Sequence, residues 1–372
     1  MLAYLLVGLI AGAVTFVMTP LVCRFSTRVG AIDRPSDRKV HAHPTPTLGG
    51  LAIFFGIVVA GVAAVFLEDF RSVFTQSSQP LGIGLGAIII CALGVVDDLR
   101  PLPAAVKLAG QTFAAGVLFL AGVKMQYVLL PDTVYVVSDD ISVIVTVLWL
   151  VAMMNAVNLI DGLDGLAAGI VAISAASFFV YTYNLADEGV LFVGAESAPM
   201  LAIIVVGATL GFLRHNFFPA RIFMGDSGSM LLGLVVGATT IVGIGYAPGL
   251  FEGPDTANVI LAYSALWIPL MVVAIPLVDA AFAVVRRVRG RRSVFHADKE
   301  HLHHRLMDLG HGHRQAVIVM YVWSALAAGA GLAFTFLDST QLIFALPIAV
   351  AALVIYTLFP VLTKVIQERL AP

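Results

Sequence analysis

Residues 141–183, ISVIVTVLWLVAMMNAVNLIDGLDGLAAGIVAISAASFFVYTY, consist of two long apolar runs joined by a short acidic turn. Each run is close to the length of about 20 residues that an α-helix needs to cross a bilayer. Ionisable residues are costly in a membrane and are kept there mostly for function. The turn, which carries Asn158, Asp161 and Asp164, therefore predicts a functional site at a membrane boundary.

The rest of the chain repeats this pattern of apolar runs and short polar connections. Of its 372 residues, 60% are hydrophobic and 12% are charged, which is more apolar than an ordinary soluble core requires. We therefore predict an all-α polytopic membrane protein in which residues 1–372 form a single integral membrane domain. The spans, about eleven, are 2–22, 48–67, 80–96, 104–121, 141–157, 165–185, 199–213, 228–246, 258–285, 316–336 and 342–363.

The distribution of lysine and arginine predicts how these spans are oriented. Only Arg71 and Lys124 fall on one side, whereas the other basic residues concentrate at 24–39 and 286–314. The positive-inside rule makes the basic side cytoplasmic, with the N-terminus outside and the C-terminus in the cytoplasm. A net charge of -2 gives no indication of nucleic-acid binding. On the outer side, residues 123–140 have two apolar-rich arms and predict a small β-hairpin.

Several carboxylates converge on the predicted cytoplasmic boundary. They are Asp97, Asp98, Asp161, Asp164 and Asp226. Any one of them could simply cap a helix, but the whole set lies beside glycine-rich turns, which favours a functional role. Carboxylate oxygens are the natural ligands of Mg²⁺, and Mn²⁺ accepts the same ligands.

The starts of the even-numbered spans point to a second component of the same site. These helices begin on the cytoplasmic side, and three of them open with glycine-rich sequences at 45–50, 161–165 and 225–229. Free N–H groups at a helix N-terminus bind phosphate, and the helix dipole favours negative charge there. Carboxylates, a divalent metal and helix N-termini together predict a diphosphate site.

Five cytoplasmic loops are predicted to form this site, namely 23–47, 97–103, 158–164, 214–227 and 286–315. In the first loop Lys39 could meet a phosphate, and in the fourth Asn216 could contact a base or ribose. The last loop contains Arg292, His301, His303 and His304. Imidazoles that donate to phosphate oxygens or shuttle a proton fit these histidines better than a zinc site, because no cysteine accompanies them. A basic flank that obeys the positive-inside rule is the plainer interpretation of the arginines.

Five motifs, in this order, resemble those of the polyprenyl-phosphate N-acetylhexosamine-1-phosphate transferases. They are DRPSDRKVHAHPTPTLGG (33–50), VVDDLRPLP (95–103), NAVNLIDGLDGLAAG (155–169), NFFPARIFMGDSGSMLLG (216–233) and DKEHLHHRLMDLGHGHRQAV (298–317). The HLHHRL form resembles the branch that uses UDP-GlcNAc to start teichoic acid, O-antigen or arabinogalactan linkage synthesis. The phospho-MurNAc-pentapeptide branch typically has three consecutive histidines, and Leu302 interrupts that run here. The chain departs from the family's usual sequence in two places. Thr47 stands where relatives often carry Arg, and the segment RRSVF replaces the commoner sequence S-P-F. Both departures concern the detailed contacts with the substrate.

The resemblance implies a reaction at the inner leaflet of the bacterial plasma membrane. A polyprenyl phosphate, undecaprenyl or decaprenyl, would attack the β-phosphorus of UDP-GlcNAc and release UMP. The product would be polyprenyl-diphospho-GlcNAc, the first lipid-linked intermediate of a cell-envelope polysaccharide. The family also implies Mg²⁺ as cofactor, an active site facing the cytoplasm, and a homodimer.

The resemblance also implies roles for individual residues. Asp226 is the strongest Mg²⁺ ligand, and Asp97 and Asp98 supply a base for the lipid phosphate or a further metal contact. The remaining assignments are Asp161 and Asp164 near the metal and nucleotide, Asn158 and Asn216 at the nucleotide or ribose, His301 and His303 at the diphosphate or sugar phosphate, and His304, Arg292 and Lys39 as further substrate contacts.

Other functions fit these sequence features less well. The closest alternatives are phospho-MurNAc-pentapeptide transfer and the use of another UDP-N-acetylhexosamine donor. A secondary transporter would place its acids near the middle of the bilayer and would break helices there, whereas here only Asp279 lies inside a predicted span. A membrane-anchored metal-binding or scaffold protein would not need paired glycines at the helix ends.

Overall fold

The computed structural model describes residues 1–35, 43–130, 133–187, 197–245, 306–307, 310–336, 347–348 and 350–357. Most of this part of the chain is helical. The helices are α1 (Leu2–Val29), α2 (Gly49–Val65), α3 (Arg71–Thr75), α4 (Gln79–Leu99), α5 (Ala104–Leu120), α6 (Asp139–Ile160), α7 (Leu166–Asp187), α8 (Ser197–Asn216), α9 (Gly225–Gly245) and α10 (His313–Phe336). Residues 350–357 are also helical.

The long helices confirm a multi-pass membrane protein. Within the described residues, seven helices are long and apolar enough to cross a bilayer. The number becomes eight if α2 is counted with the segment Glu68–Thr75, which turns away from it by 97°. In a bilayer a helix satisfies all its backbone hydrogen bonds internally, which is why apolar runs of this length become helices.

The predicted spans agree with the observed helices where the two can be compared. The first eight spans and the tenth each coincide with one of the helices α1, α2 and α4–α10 to within a few residues, apart from the longer end of α1. The ninth span, 258–285, lies outside the described residues, and 342–363 lies only partly within them. The total of eleven spans and the orientation of the termini therefore stay predictions.

Two short antiparallel strand pairs accompany the helices. The hairpin predicted within 123–140 is confirmed, because β3 (Tyr127–Leu130) pairs with β4 (Thr133–Val136). A second pair, β1 (Ile32–Asp33) with β2 (Thr45–Pro46), was not predicted. It brings the chain back from the end of α1 to the start of α2.

Helix α9 is the most enclosed of the candidate spans. In its most apolar stretch 89% of the residues are buried, against 33% in α1. It packs against α2, α4, α6 and α8. The position of its N-terminus, which carries Asp226, is therefore fixed by several neighbours at once.

Glycines allow the closest of these contacts. A Cβ on Gly50 of α2 would lie 2.1 Å from the backbone nitrogen of Gly228, and one on Gly94 of α4 would lie 2.4 Å from that of Ser227. Both contacts are at the first turn of α9. Because a side chain at either glycine would push α9 away, this packing sets how near α4 and its two aspartates come to Asp226.

Candidate active site at the N-terminus of α9

Asp98 holds the first turn of α9. One of its carboxylate oxygens accepts the backbone N–H of Asp226 at 2.8 Å, and the other accepts that of Ser227 at 3.2 Å. A carboxylate at a helix N-terminus satisfies free N–H groups and complements the helix dipole. The preceding residue, Gly225, has a φ of 71°, and a Cβ there would lie 2.5 Å from the Asp98 carboxylate. Asp98 thus joins the end of α4 to the start of α9.

A lysine joins the other two carboxylates of this cluster. The Nζ of Lys107 on α5 lies 2.8 Å from Oδ2 of Asp97 and 2.7 Å from Oδ2 of Asp226. The second oxygen of Asp97 accepts the backbone N–H of Leu102 at 2.6 Å, which fixes the loop between α4 and α5. Asp97 is buried, so the ammonium group offsets part of the cost of keeping its charge away from water.

Lys107 is not among the residues predicted for the site, although the sequence carries a signal for it. It is the one ionisable residue inside the predicted span 104–121. Ionisable residues within membrane spans are functional candidates by default, and that rule alone would have selected it.

Asn158 completes the shell around Asp226. Its amide nitrogen donates to Oδ1 of Asp226 and to Oγ of Ser229, at 2.9 Å in each case. One carboxylate oxygen of Asp226 therefore accepts a hydrogen bond from an amide, and the other accepts one from an ammonium group. This places the last turn of α6 beside the first turn of α9, as the predicted convergence of the two motifs requires.

Asp164 and Asn216 organise the adjoining loops. The Asp164 carboxylate accepts the backbone N–H of Ala220 at 2.9 Å. The amide of Asn216 accepts the N–H of Gly165 at 3.0 Å and donates to the carbonyl of Ile222 at 2.9 Å. Asn216 is 2% exposed, so its side chain holds the backbone of two loops rather than facing solvent. Its predicted contact with a base or ribose stays a prediction.

Asp161 carries the clearest electrostatic signature among the loop residues. Burial, and after it the like charges of Asp226, Asp98 and Asp164, raise the pKa of Asp161 to about 8. Repulsion of this kind arises when carboxylates crowd into one place with too few positive charges to balance them. The cluster therefore favours an additional cation.

Protein acceptors occupy five N–H groups at the three glycine-rich helix starts. Gly49 and Gly50 donate to the carbonyls of Phe223 and Met224, at 3.0 and 2.9 Å. The N–H of Gly165 donates to Asn216, and the N–H groups of Asp226 and Ser227 in the first turn of α9 donate to Asp98. For these five N–H groups the expectation of phosphate binding was wrong, because protein acceptors already occupy them; for the other N–H groups of the three helix starts it stays a prediction.

The donor set suits a hard divalent cation. Oxygens of Asp97 and Asp226 approach a single point closely enough to hold the same ammonium nitrogen, and Asn158 and Asp98 surround them. No ready-made group of three His, Cys, Asp or Glu ligands occurs among the described residues. Mg²⁺ does not require one, since it usually takes one or two carboxylates and completes its octahedron with water and substrate phosphates.

The structure thus brings together six of the predicted site residues, from three of the predicted loops. These are Asp97, Asp98, Asn158, Asp161, Asp164 and Asp226, with Asn216 behind them. The predicted contacts Lys39, Arg292, His301, His303 and His304 lie outside the described residues.

Comparison with known proteins agrees with this architecture. The model of glycosyl transferase family 4 matches residues 80–244, which run from α4 to α9 and include the whole cluster. Decaprenyl-phosphate N-acetylglucosaminephosphotransferase of Mycolicibacterium smegmatis is 37% identical over 96% of this chain and 89% of its own length. The chain belongs to the polyprenyl-phosphate N-acetylhexosamine-1-phosphate transferase family.

Two further relatives show how the likeness is distributed within this family. The probable undecaprenyl-phosphate N-acetylglucosaminyl 1-phosphate transferase of Bacillus subtilis is 38% identical over 82% of this chain and 78% of its own length. A phospho-N-acetylmuramoyl-pentapeptide-transferase of Campylobacter lari is 33% identical, but over only 56% of this chain and 62% of its own length. The likeness is thus more extensive to the N-acetylglucosamine branch.

Proposed function

We propose that this protein transfers GlcNAc-1-phosphate from UDP-GlcNAc to a polyprenyl phosphate. An oxygen of the lipid phosphate attacks the β-phosphorus of the donor, and the bond from that phosphorus to the bridging oxygen breaks. UMP leaves, and polyprenyl-diphospho-GlcNAc is the lipid product. The observation that carries the proposal is the joining of Asp97, Asp226 and Asn158 around Lys107 and the first turn of α9, in a chain that matches such transferases over most of its length.

Charge and position dominate this chemistry. Phosphoryl transfer leaves little covalent work to the protein, so rate acceleration comes from positioning and from stabilising developing charge. Mg²⁺, held by Asp226 and Asp97, would neutralise the negative charge of the diphosphate. The ammonium of Lys107 sits where it can turn from the carboxylates to a phosphate oxygen.

The contacts of the adjacent aspartates favour different roles for them. Both oxygens of Asp98 accept backbone N–H groups, which suits a residue that positions α9. One oxygen of Asp97 accepts a hydrogen bond from Lys107, beside Asp226. This position suits a residue that binds the metal cation or acts as the base that activates the lipid phosphate. We therefore assign the base or metal contact to Asp97 and the positioning role to Asp98, whose predicted metal contact is the weaker alternative.

The site is proposed to face the cytoplasm, where UDP-sugars are made, in the bacterial plasma membrane. Positive charge on the loops at that side supports this orientation. In the loop 286–315, His301, His303, His304 and Arg292 are proposed to bind the donor's diphosphate. A homodimer stays a prediction from the family.

A direct assay tests the proposal. Purified protein is incubated with Mg²⁺, undecaprenyl or decaprenyl phosphate, and a panel of UDP-GlcNAc, UDP-GalNAc and UDP-MurNAc-pentapeptide. We expect UMP and a lipid diphosphate-sugar from UDP-GlcNAc. Product from UDP-MurNAc-pentapeptide alone would move the protein to the other branch, and no UMP from any donor would overturn the proposed function.

A further inference from the structure

A second charged region, which is basic where the first cluster is acidic, surrounds the C-terminal end of α8. A cavity of about 580 Å³ is lined there by Arg214, Arg221 and Arg314, together with His215, Leu210 and the aromatic residues Phe217 and Phe218. A neighbouring cavity of about 240 Å³ is lined by Arg24 of α1 and shares His215 and Arg221 with the first. No acidic residue is among the described residues that line either cavity. We call the two together the basic cavity.

Within the described residues, no carboxylate forms an ion pair with the arginines of the basic cavity. Both ion pairs found in the described part of the chain belong to Lys107, so none involves Arg24, Arg214 or Arg221. Arg314 is held in place by donating from Nε to the carbonyl of Phe218 at 3.2 Å, and its guanidinium lies over the Phe218 ring. A convergent set of such groups attracts a ligand that brings several negative charges.

The surroundings of the basic cavity indicate what kind of ligand this is. Beside it, on the outer surface of α1 and α8, large apolar side chains are exposed; they include Phe16, Val17, Leu21 and Leu210. These helices are candidate membrane spans, so this surface faces acyl chains. Arginines that only obey the positive-inside rule would extend separately into water, whereas these line one concave space next to the lipid-facing surface. Basic pockets between membrane helices bind the headgroups of anionic lipids.

We propose that the basic cavity is a binding site for an anionic phospholipid. Its phosphate groups accept hydrogen bonds from Arg214, Arg221 and Arg314, and its acyl chains lie along the exposed surface of α1 and α8. The room and the four guanidinium groups suit a lipid that carries two phosphates. The proposal does not depend on the transferase reaction, since it uses only the membrane spans and the cavity.

The position of the cavity gives such a lipid a route to the catalytic region. Arg221 and Phe218 belong to the connection between α8 and α9, and in the same connection Ala220 donates its N–H to Asp164. A lipid that holds Arg221 therefore also holds the segment on which Asp164 rests.

The test measures the thermal unfolding midpoint of the full-length protein in detergent micelles. Cardiolipin, phosphatidylcholine, inorganic phosphate and UMP are titrated separately. We expect cardiolipin to raise the midpoint by about 3 °C or more at saturation, with phosphatidylcholine and inorganic phosphate nearly without effect. In Arg214→Gln/Arg221→Gln the half-saturating cardiolipin concentration should rise about tenfold, because charge-assisted hydrogen bonds are lost.

A matched control removes the same number of positive charges elsewhere. Arg28 and Arg34 are exposed and do not line the cavity, so Arg28→Gln/Arg34→Gln should respond to cardiolipin like the unmodified protein. If the cavity variant does not fold, Arg24→Gln tests the smaller cavity, with about a threefold weaker response expected. An equal response in cavity and control variants would overturn the proposal. So would a midpoint rise with inorganic phosphate or UMP that the cavity variant alone loses, since it would assign the cavity to a soluble phosphate or a nucleotide.

Discussion

The acidic cluster at the start of α9 and the basic cavity at the end of α8 handle charge in opposite ways. In the cluster, Asp97, Asp98 and Asp226 each accept hydrogen bonds from protein donors. In the basic cavity, Arg214 and Arg221 have no ion-pair partner among the described residues. In a connected hydrogen-bond network, the substitution of one member also weakens the interactions of the others. For side chains that do not contact each other, each substitution removes only its own contribution.

The largest effect is expected where the cluster loses its central carboxylate. Asp226→Asn keeps the shape but removes a charge that both Lys107 and the proposed metal use. Transfer of GlcNAc-1-phosphate should fall by about 10³-fold or more, with a weaker dependence on Mg²⁺. UMP release across a Mg²⁺ titration measures both. Asp69→Asn, at an exposed acid after α2, is the control, and near-normal turnover in Asp226→Asn would remove this residue from the site.

Removing the positive member of the cluster should separate catalysis from metal binding. In Lys107→Met, turnover should drop by about 10²-fold, because the ammonium no longer stabilises phosphate charge. Mg²⁺ should bind more tightly, since the carboxylates of Asp97 and Asp226 lose the cation that competes with it.

The rise in thermal midpoint on adding Mg²⁺ measures this binding without turnover. It should occur at lower Mg²⁺ concentrations in Lys107→Met than in the unmodified protein, and Lys107→Arg should fall between them. Lys124→Met removes a positive charge outside the cluster and serves as the control. An unchanged Mg²⁺ response in Lys107→Met would show that lysine and metal do not share the carboxylates.

The connection between Asp98 and α9 depends on one backbone position. Gly225→Ala puts a methyl group at a φ of 71° and 2.5 Å from the Asp98 carboxylate, so we expect a loss of about 1–3 kcal/mol in the free energy of unfolding. Gly61→Ala in α2 meets open space and should be neutral or slightly stabilising. Thermal midpoints of the two variants give the comparison. Equal midpoints would mean that Asp98 and the first turn of α9 can move apart at no cost.

The features of this site that follow from local sequence could be predicted, and those that follow from packing between distant segments could not. Spans and clusters of acids follow from hydropathy, charge and the positive-inside rule, and the structure brings Asp97, Asn158 and Asp226 together as expected. Whether a helix N-terminus is free depends on what packs against it. The sequence at Gly49 and Gly50 predicts a helix N-terminus that binds phosphate. In the structure their N–H groups instead donate to backbone carbonyls just before α9.

The pKa of Asp161 gives the smallest and most specific test. Its value of about 8 exceeds the ordinary value of 3.8, so the folded protein holds a proton that the unfolded chain has released. This contribution to stability is fully present below about pH 4 and is lost as the pH rises towards 8. The unfolding midpoint measured without divalent metal should therefore fall between about pH 6 and 8, and less steeply in Asp161→Asn.

Adding Mg²⁺ should flatten the same pH profile in the unmodified protein, because a divalent cation offsets the repulsion from Asp226, Asp98 and Asp164 that adds to burial in raising the pKa of Asp161. Asp33→Asn, at the end of β1 and outside the cluster, gives the slope expected when an acid without these neighbours is removed. Equal slopes in Asp161→Asn and the unmodified protein would mean that Asp161 is ionised in the folded state throughout this range. The acidic cluster would then already be balanced by its own donors, whereas the described residues bring no carboxylate to the lining of the basic cavity.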